Sequence, residues 1–353
     1  MKITVPTIDF GTSKIVTMVA QSNGERCDIV GSGAVPYSGY LQDGWNNPDE
    51  IRDVIRTAID QAQKTGNCRI HELNVGVPGM FTRVIVKEVH VSLTGPDPHV
   101  TAQDVRACFK LAEESGGDRI IHSAPAWFRV DDGKKTLSPV GIKGRELSAM
   151  IALVTADKYF IDDITYRLRD MDIEPREFYS TVAGEATYAL SQDERDKTAM
   201  LIDIGYLCTD VMVMEGDALI FHKCLDIGGG HISADIAEQL NIPFPFVEEK
   251  IKQTYSFNST NQDETYVIPA TEDEPARTVR RDEVTPIIEA KVEEIAEAIN
   301  KALEEGGVKL GKWSNVYLTG GGLILNKGGK DFLAGKLHRI IREAQRTNNK
   351  MTS

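Results

Sequence analysis

The chain is poor in paired cysteines, in basic charge and in long apolar runs. Its five cysteines, Cys27, Cys68, Cys108, Cys208 and Cys224, are scattered through 353 residues and never spaced as CxxC. An odd, dispersed set of this kind argues against a disulfide framework or a zinc site and fits reduced thiols. Lys and Arg number 40 against 53 Asp and Glu, a formal net charge of −13 at pH 7. An acidic chain lacks the basic face that displaces counterions from phosphate backbones, so no nucleic-acid partner is expected. No segment approaches the ~20 apolar residues of a membrane helix. The start, Met1-Lys2-Ile3-Thr4-Val5-Pro6, carries no apolar leader core. The expected location is the cytoplasm.

What is present is ordinary for a folded protein. Hydrophobic residues make up 41% and charged residues 26%, and the length suits two or three domains at roughly 100–200 residues each. Alternation and turn signals predict a β-meander: strand Ile3–Ile8, a turn at Asp9–Lys14, strand Ile15–Gln21, a turn at Asn23-Gly24 and strand Cys27–Val35. Apolar residues at helical spacing predict a helix over Pro48–Lys64, and Leu73–Val77 reads as a buried strand. From Arg83 to Thr155 the texture repeats strand, helix and strand on a smaller scale, with Thr101 placed as an N-cap, and reads as an inserted subdomain. Helices are expected at Ala156–Met171, Ser180–Leu190, His231–Leu240 and Asp282–Leu303. A hairpin is expected over Ala199–Cys224 and a short strand at Val316–Leu318. Arg277, Arg280 and Arg281 read as a solvated hairpin edge.

Two turns share a pattern. Asp9-Phe10-Gly11-Thr12-Ser13-Lys14 and Asp203-Ile204-Gly205-Tyr206-Leu207-Cys208-Thr209-Asp210 each end a strand in aspartate and continue through small or hydroxyl residues. Such a turn presents backbone N–H groups and hydroxyls to an anion. The aspartate before it suits Mg²⁺, a hard cation that takes carboxylate oxygen and keeps several waters. Two such turns facing each other would clamp a polyphosphate, with Lys14 adding a point charge. Taken alone, Asp-x-Gly is simply a good turn sequence. The third element, Leu318-Thr319-Gly320-Gly321-Gly322, shifts the balance, because glycines after a strand allow close backbone approach to a ligand.

The ordered trio resembles the phosphate-1, phosphate-2 and adenosine motifs of the actin-like ATPase superfamily. Within it the chain resembles the FtsA family of bacterial cell-division proteins. Cys224-Leu225-Asp226-Ile227-Gly228-Gly229-Gly230-His231-Ile232-Ser233-Ala234-Asp235-Ile236-Ala237 is similar to that family's GGDHITNDIA-type stretch. Glu249-Lys250-Ile251-Lys252 is similar to its E-x-L-K segment, Pro139-Val140-Gly141-Ile142-Lys143-Gly144 to its PVGM-x-G, and Val75–Gly79 to the entry of its inserted 1C subdomain.

The resemblance implies an α/β, actin-like ATPase fold of two RNase H-like halves. Subdomain 1A would take 1–74 and 156–180, the FtsA-type 1C insert 75–155, subdomain 2A 181–240 and 307–353, and subdomain 2B 241–306. It implies ATP and Mg²⁺ as ligands. Asp9 and Asp203 would sit about the metal and the attacking water. Gly11, Thr12, Ser13 and Lys14 would wrap the terminal phosphates, with Gly205 and Thr209 opposite. Gly229, Gly230, Glu249, Lys252, Gly320, Gly321 and Gly322 would line the ribose and adenine side. The implied function is an ATP-binding adaptor that self-associates into filaments, receives the FtsZ C-terminal peptide and works at the cytoplasmic face of the membrane at the division site.

Three departures qualify this. Tyr206-Leu207-Cys208 stands where the family's phosphate-2 turn has glycines and a threonine. The position of a water-positioning glutamate in MreB-like relatives falls on Ser180 or Thr181 here, with Glu185 one turn later; nucleotide binding with slow or absent hydrolysis is the expectation. The terminal amphipathic membrane helix of the family is not recognisable. Leu333, Leu337, Ile340, Ile341 and Ala344 instead predict one apolar helical face, read as packing on the sheet, and membrane contact stays open. Two alternatives share the fold: a PilM-like scaffold of a pilus or secretion platform, and a small-metabolite kinase, for which no catalytic carboxylate motif is found.

Overall fold

A computed structural model describes residues 3–23, 26–41, 44–117, 119–261, 263–270, 275–311 and 314–344. The described residues group into two compact units, one of 3–199 with 212–223, the other of 200–211 with 224–344.

The first unit is built on a five-stranded sheet in the order Glu174–Ser180, Glu72–Val77, Ile3–Phe10, Lys14–Ser22, Cys27–Pro36. The last three strands form the antiparallel meander, while Glu72–Val77 runs parallel to Ile3–Phe10 and Glu174–Ser180 parallel to Glu72–Val77. The helix Ile51–Gly66 buries Ile51, Val54, Ile55, Ala58, Ile59 and Ala62, the periodic positions that predicted it. The strand Glu174–Ser180 has no sequence signature. Its burial alternates weakly, and charged residues occupy much of an edge strand.

One aromatic cluster fixes the end of the central strand. Phe10 stands edge-on to Phe160 with centroids 5.5 Å apart, Phe81 stacks on Phe160 at 4.9 Å, and Trp45 lies 5.7 Å from Phe10. Trp45 Nε1 donates to Asp163 Oδ2 at 2.8 Å and Tyr40 OH to the Phe10 carbonyl at 3.0 Å, so the polar edges of the rings are also satisfied.

The inserted segment forms an antiparallel three-stranded sheet, Thr82–Ser92, Glu146–Ala156 and Ile120–Val130 in that order, covered by the helix Ala102–Glu114. The strand Thr82–Ser92 is continuous over 11 residues. Thr101 caps the helix as expected, with its amide donating to Asp104 Oδ2 at 2.8 Å.

A second five-stranded sheet repeats the plan in the order Ala218–Leu225, Thr209–Glu215, Ala199–Ile204, Asn315–Thr319, Ile341–Glu343. In both sheets the third, second and first strands of a meander come before two later strands, which is the repeated fold expected from the paired Asp-x-Gly turns. The helix Arg281–Glu305 buries Ile287, Ile288, Val292, Ile295, Ile299 and Leu303. Lys291 of this helix donates to Asp235 at 3.0 Å.

Two expectations fail. The apolar face drawn through Ala344 is not one helix: the helix ends at Leu337, His338 adopts a left-handed φ of 52°, and Ile341–Glu343 pairs in parallel with Val316–Leu318. Helical spacing could not separate an apolar pair on a helix from one on the strand after it. Arg281 is also not solvated. It is 6% exposed, meets Glu264 at 3.1 Å and lies 4.3 Å over the Tyr255 ring.

Candidate functional site

In the first unit the strand Ile3–Phe10 delivers Asp9 to the sheet's end, paired with Val16 across the ladder. The turn closes with the Gly11 amide donating to the Lys14 carbonyl at 3.1 Å. Tyr37 holds it from outside: its hydroxyl donates to the Gly11 carbonyl at 2.8 Å and its amide to the Ser13 carbonyl at 3.2 Å. Thr12 is buried, Gly11 and Ser13 are half-buried and Lys14 is exposed. Burial pushes the Asp9 carboxyl up from its ordinary value, against a smaller opposing pull from the Phe10 amide.

Beside Asp9 lie the hydroxyl residues singled out in place of glutamate. A side-chain carbon on Gly76 would meet Thr181 Cγ2 at 2.7 Å and Asp9 Oδ1 at 3.4 Å, so Gly76 makes the room these two share. Thr181 Oγ1 donates to the Val77 carbonyl at 3.0 Å, and Ser180 Oγ accepts the Ala183 amide at 3.2 Å as the helix cap. Both hydroxyls serve the backbone, and neither is a base.

The second unit brings the remaining motifs together. The Gly205 amide donates to the Cys208 carbonyl at 2.9 Å, the same closure as in the first turn. Around it the glycine segments dock backbone to backbone: Gly322 N to Ile204 O at 2.7 Å, Gly229 N to Gly205 O at 2.9 Å, Gly230 N to Tyr206 O at 2.7 Å. A side-chain carbon on Gly322 would come within 2.5 Å of the Gly205 carbonyl oxygen, and Gly320 takes a φ of +88° against Asp203. These glycines are therefore required by the close approach of three chain segments to one another. Gly321 alone is exposed, with open space where a side chain would project. Thr209 is buried and its hydroxyl donates to the Ile227 carbonyl at 2.7 Å, a structural bond that ties the turn to the strand leading into Gly228.

Lys252 comes to this cluster on a π-helical turn, Val247–Lys252, a bulged geometry frequent at functional sites. Its Nζ lies 5.6 Å from the Tyr206 ring centroid and 3.1 Å from Glu248 Oε1. Burial lowers its pKa, with Glu248 acting in the opposite direction. Buried Asn326 donates to the Lys252 carbonyl at 2.6 Å and the Tyr255 carbonyl at 3.1 Å. Glu249, named from the sequence, is exposed, and its neighbour Glu248 makes the pair with Lys252. Glu248 and Asn326 carried no sequence signal beyond their nearness to the motifs.

The donor set fits a nucleotide in part. Gly321 offers an unobstructed backbone, and the Asp203 turn is held rigidly behind it. Among the described residues no three His, Cys, Asp or Glu side chains gather as a metal cage. A Mg²⁺ here would be held by an aspartate, waters and phosphate oxygens, the usual arrangement for that ion.

Twin meander sheets, each with an aspartate-tipped turn, define an actin-like ATPase fold. Solved structures agree: the PilM–PilN type IV pilus biogenesis complex aligns over 98% of this chain and 89% of that one with a TM-score of 0.63 at 17% identity. MreB5 of Spiroplasma citri, solved bound to ADP, aligns over 98% and 92% with a TM-score of 0.55 at 11% identity. The sequence is narrower in its likeness. The family model for cell division protein FtsA matches residues 200–322, and that for the SHS2 domain inserted in FtsA matches 79–155, together more than half of the chain. The FtsA of Pseudomonas aeruginosa is 26% identical over 320 residues, covering 89% of this chain and 76% of that protein. That of Bacillus subtilis is 26% identical over 306 residues, covering 85% and 70%. The chain belongs to the FtsA family of cell-division proteins.

Proposed function

We propose that this chain binds ATP with Mg²⁺, self-associates into filaments when loaded, and receives the C-terminal peptide of FtsZ at the cytoplasmic face of the division site. The observation that carries the reading is the convergence, in the second unit, of the Asp203 turn with Gly229, Gly230 and Gly322 through direct backbone hydrogen bonds, with Gly320 packed against Asp203. Segments more than a hundred residues apart build one surface whose open point is the Gly321 backbone. Family membership supports the partner and the setting. Among the described residues no helix is long and apolar enough to cross a membrane.

In this reading Asp203 holds the ion through water in the second unit, and Asp9 is the corresponding carboxylate of the first. The Gly205 turn, its own amide closed on Cys208, would meet phosphate through close backbone approach, and Gly11, Thr12, Ser13 and Lys14 make the equivalent turn of the first unit. Gly229, Gly230, Glu249, Lys252, Gly320, Gly321 and Gly322 line the nucleoside side. A bound Mg²⁺ would neutralise phosphate charge. The hydroxyls of Ser180 and Thr181, committed to the backbone, leave no carboxylate on that turn to orient water, so hydrolysis is slow. The subdomain limits given above, with 75–155 as 1C and 241–306 as 2B, belong to this proposal.

The test is equilibrium binding of a fluorescent ATP analogue with Mg²⁺, followed by sedimentation with and without ATP and with the FtsZ tail peptide. Saturable binding lost in Gly321→Trp, together with ATP-dependent pelleting, is the expected result. Absence of binding at millimolar nucleotide overturns the reading.

A further inference from the structure

The bulky residue of the second turn has a defined seat. The Tyr206 ring lies against Gly230, where a side-chain carbon would sit 3.0 Å from Tyr206 Cε2, and under the Lys252 ammonium at 5.6 Å. Gly230 and Lys252 are the residues assigned above to the nucleoside. The backbone of Tyr206 cannot shift, since its carbonyl accepts the Gly230 amide at 2.7 Å and stands 2.6 Å from where a Gly228 side chain would begin. Lys252 is equally fixed, by Glu248 and by Asn326 at its carbonyl. With the backbone so held on both sides, rotation of the tyrosine side chain is the motion that would open the space. Tyr206 is half-buried.

We propose that the Tyr206 ring occupies the nucleoside seat between Gly230 and Lys252, and that nucleotide binds only by displacing it. Tyr206 thereby sets the affinity. The inference rests on the nucleotide-binding reading and adds a residue that competes with the ligand. In leaving, the ring gives up its contact with the Lys252 cation and its burial. A contact of this type at a partly desolvated site corresponds to about tenfold in binding.

The experiment uses the full chain and the same fluorescent ATP analogue with Mg²⁺. Tyr206→Ala is expected to bind about tenfold more tightly than the unaltered chain, and Tyr206→Phe, which keeps the ring over Gly230, to bind within about twofold of it. Ligand-free Tyr206→Ala melts at a lower temperature, and nucleotide raises its melting temperature by more. In Tyr206→Trp the indole takes the same seat, and its emission shifts to the red at saturating nucleotide as the ring moves into water. Equal or weaker binding by Tyr206→Ala, or an unshifted Tyr206→Trp spectrum at saturation, overturns the inference while leaving nucleotide binding intact. Failure of the unaltered chain and Tyr206→Ala alike to bind nucleotide overturns both.

Discussion

The Gly322 amide donates to the Ile204 carbonyl at 2.7 Å, joining residues that stand far apart in the chain. This bond brings the third glycine motif against the strand that ends in Asp203. A side-chain carbon at Gly322 would press on the Gly205 carbonyl and on Ile204 Cγ2, both part of the rigid turn. Gly322→Val should destabilise the second unit by about 1–3 kcal/mol, the usual cost of overpacking a filled site. Urea unfolding measures it; a loss under about 0.5 kcal/mol would show that the turn yields.

Asp9 is held at a cost. Its folded pKa lies above the ordinary 3.8 because burial disfavours the charge. The folded chain therefore holds this proton more tightly than the unfolded chain. That contribution is fully present below the ordinary value and is lost as pH rises through the folded one. Asp9→Asn should raise the ligand-free melting temperature at pH 7, with the gain fading as pH falls toward the ordinary carboxylate range. The same change should weaken the Mg²⁺ dependence of nucleotide binding. Melting curves across pH check the first point, and a gain that persists undiminished in acid would contradict it.

Lys252 and Glu248 form a pair in which the lysine is the more buried partner, with side-chain exposures of 11% and 25%. Burial pulls the lysine's pKa down from 10.5 and Glu248 resists. Glu248→Gln leaves a buried cation without its counter-charge and should cost roughly 1–3 kcal/mol at neutral pH. The cost shrinks as pH rises toward the ordinary lysine range, where the ammonium loses its charge. Lys252→Met, which removes the charge and keeps the volume, should be close to neutral in stability. Chemical denaturation of both variants discriminates, since a purely steric role for the pair predicts the opposite ranking.

Phe160 is fully buried among Phe10, Trp45 and Phe81. Phe160→Ala should cost about 3–5 kcal/mol through the cavity it leaves. Because Phe10 follows Asp9 directly, amide exchange in the Gly11–Lys14 turn should quicken beyond what the global loss explains. Exchange rates that change only in proportion to global stability would show that the cluster does not position the turn.

Much of this site is legible in residue order. The aspartate-tipped strands, the glycine triplets and the Thr101 cap each satisfy a local need: a turn, a close approach or an orphan helix amide. Glu248 could not be told from Glu249 by pattern, because a π-helical turn alters which of two adjacent side chains reaches Lys252. The strand Ile341–Glu343 was hidden for a related reason, as three residues carry no measurable period. Arg281 looked solvated because charge is normally exposed. Glu264 and the Tyr255 face make its burial tolerable, and both come from other parts of the chain.

By itself the sequence determined the local code: which strands end in a carboxylate, where backbone could approach closely, and that an aspartate-tipped turn recurs on either side of an inserted segment. Short-range sterics and hydrogen bonding dictate these features within a few residues. Only tertiary structure decided where the Tyr206 ring goes. A side chain's seat is set by the volume that distant segments leave open, and here Gly230 and Lys252 leave room for the ring.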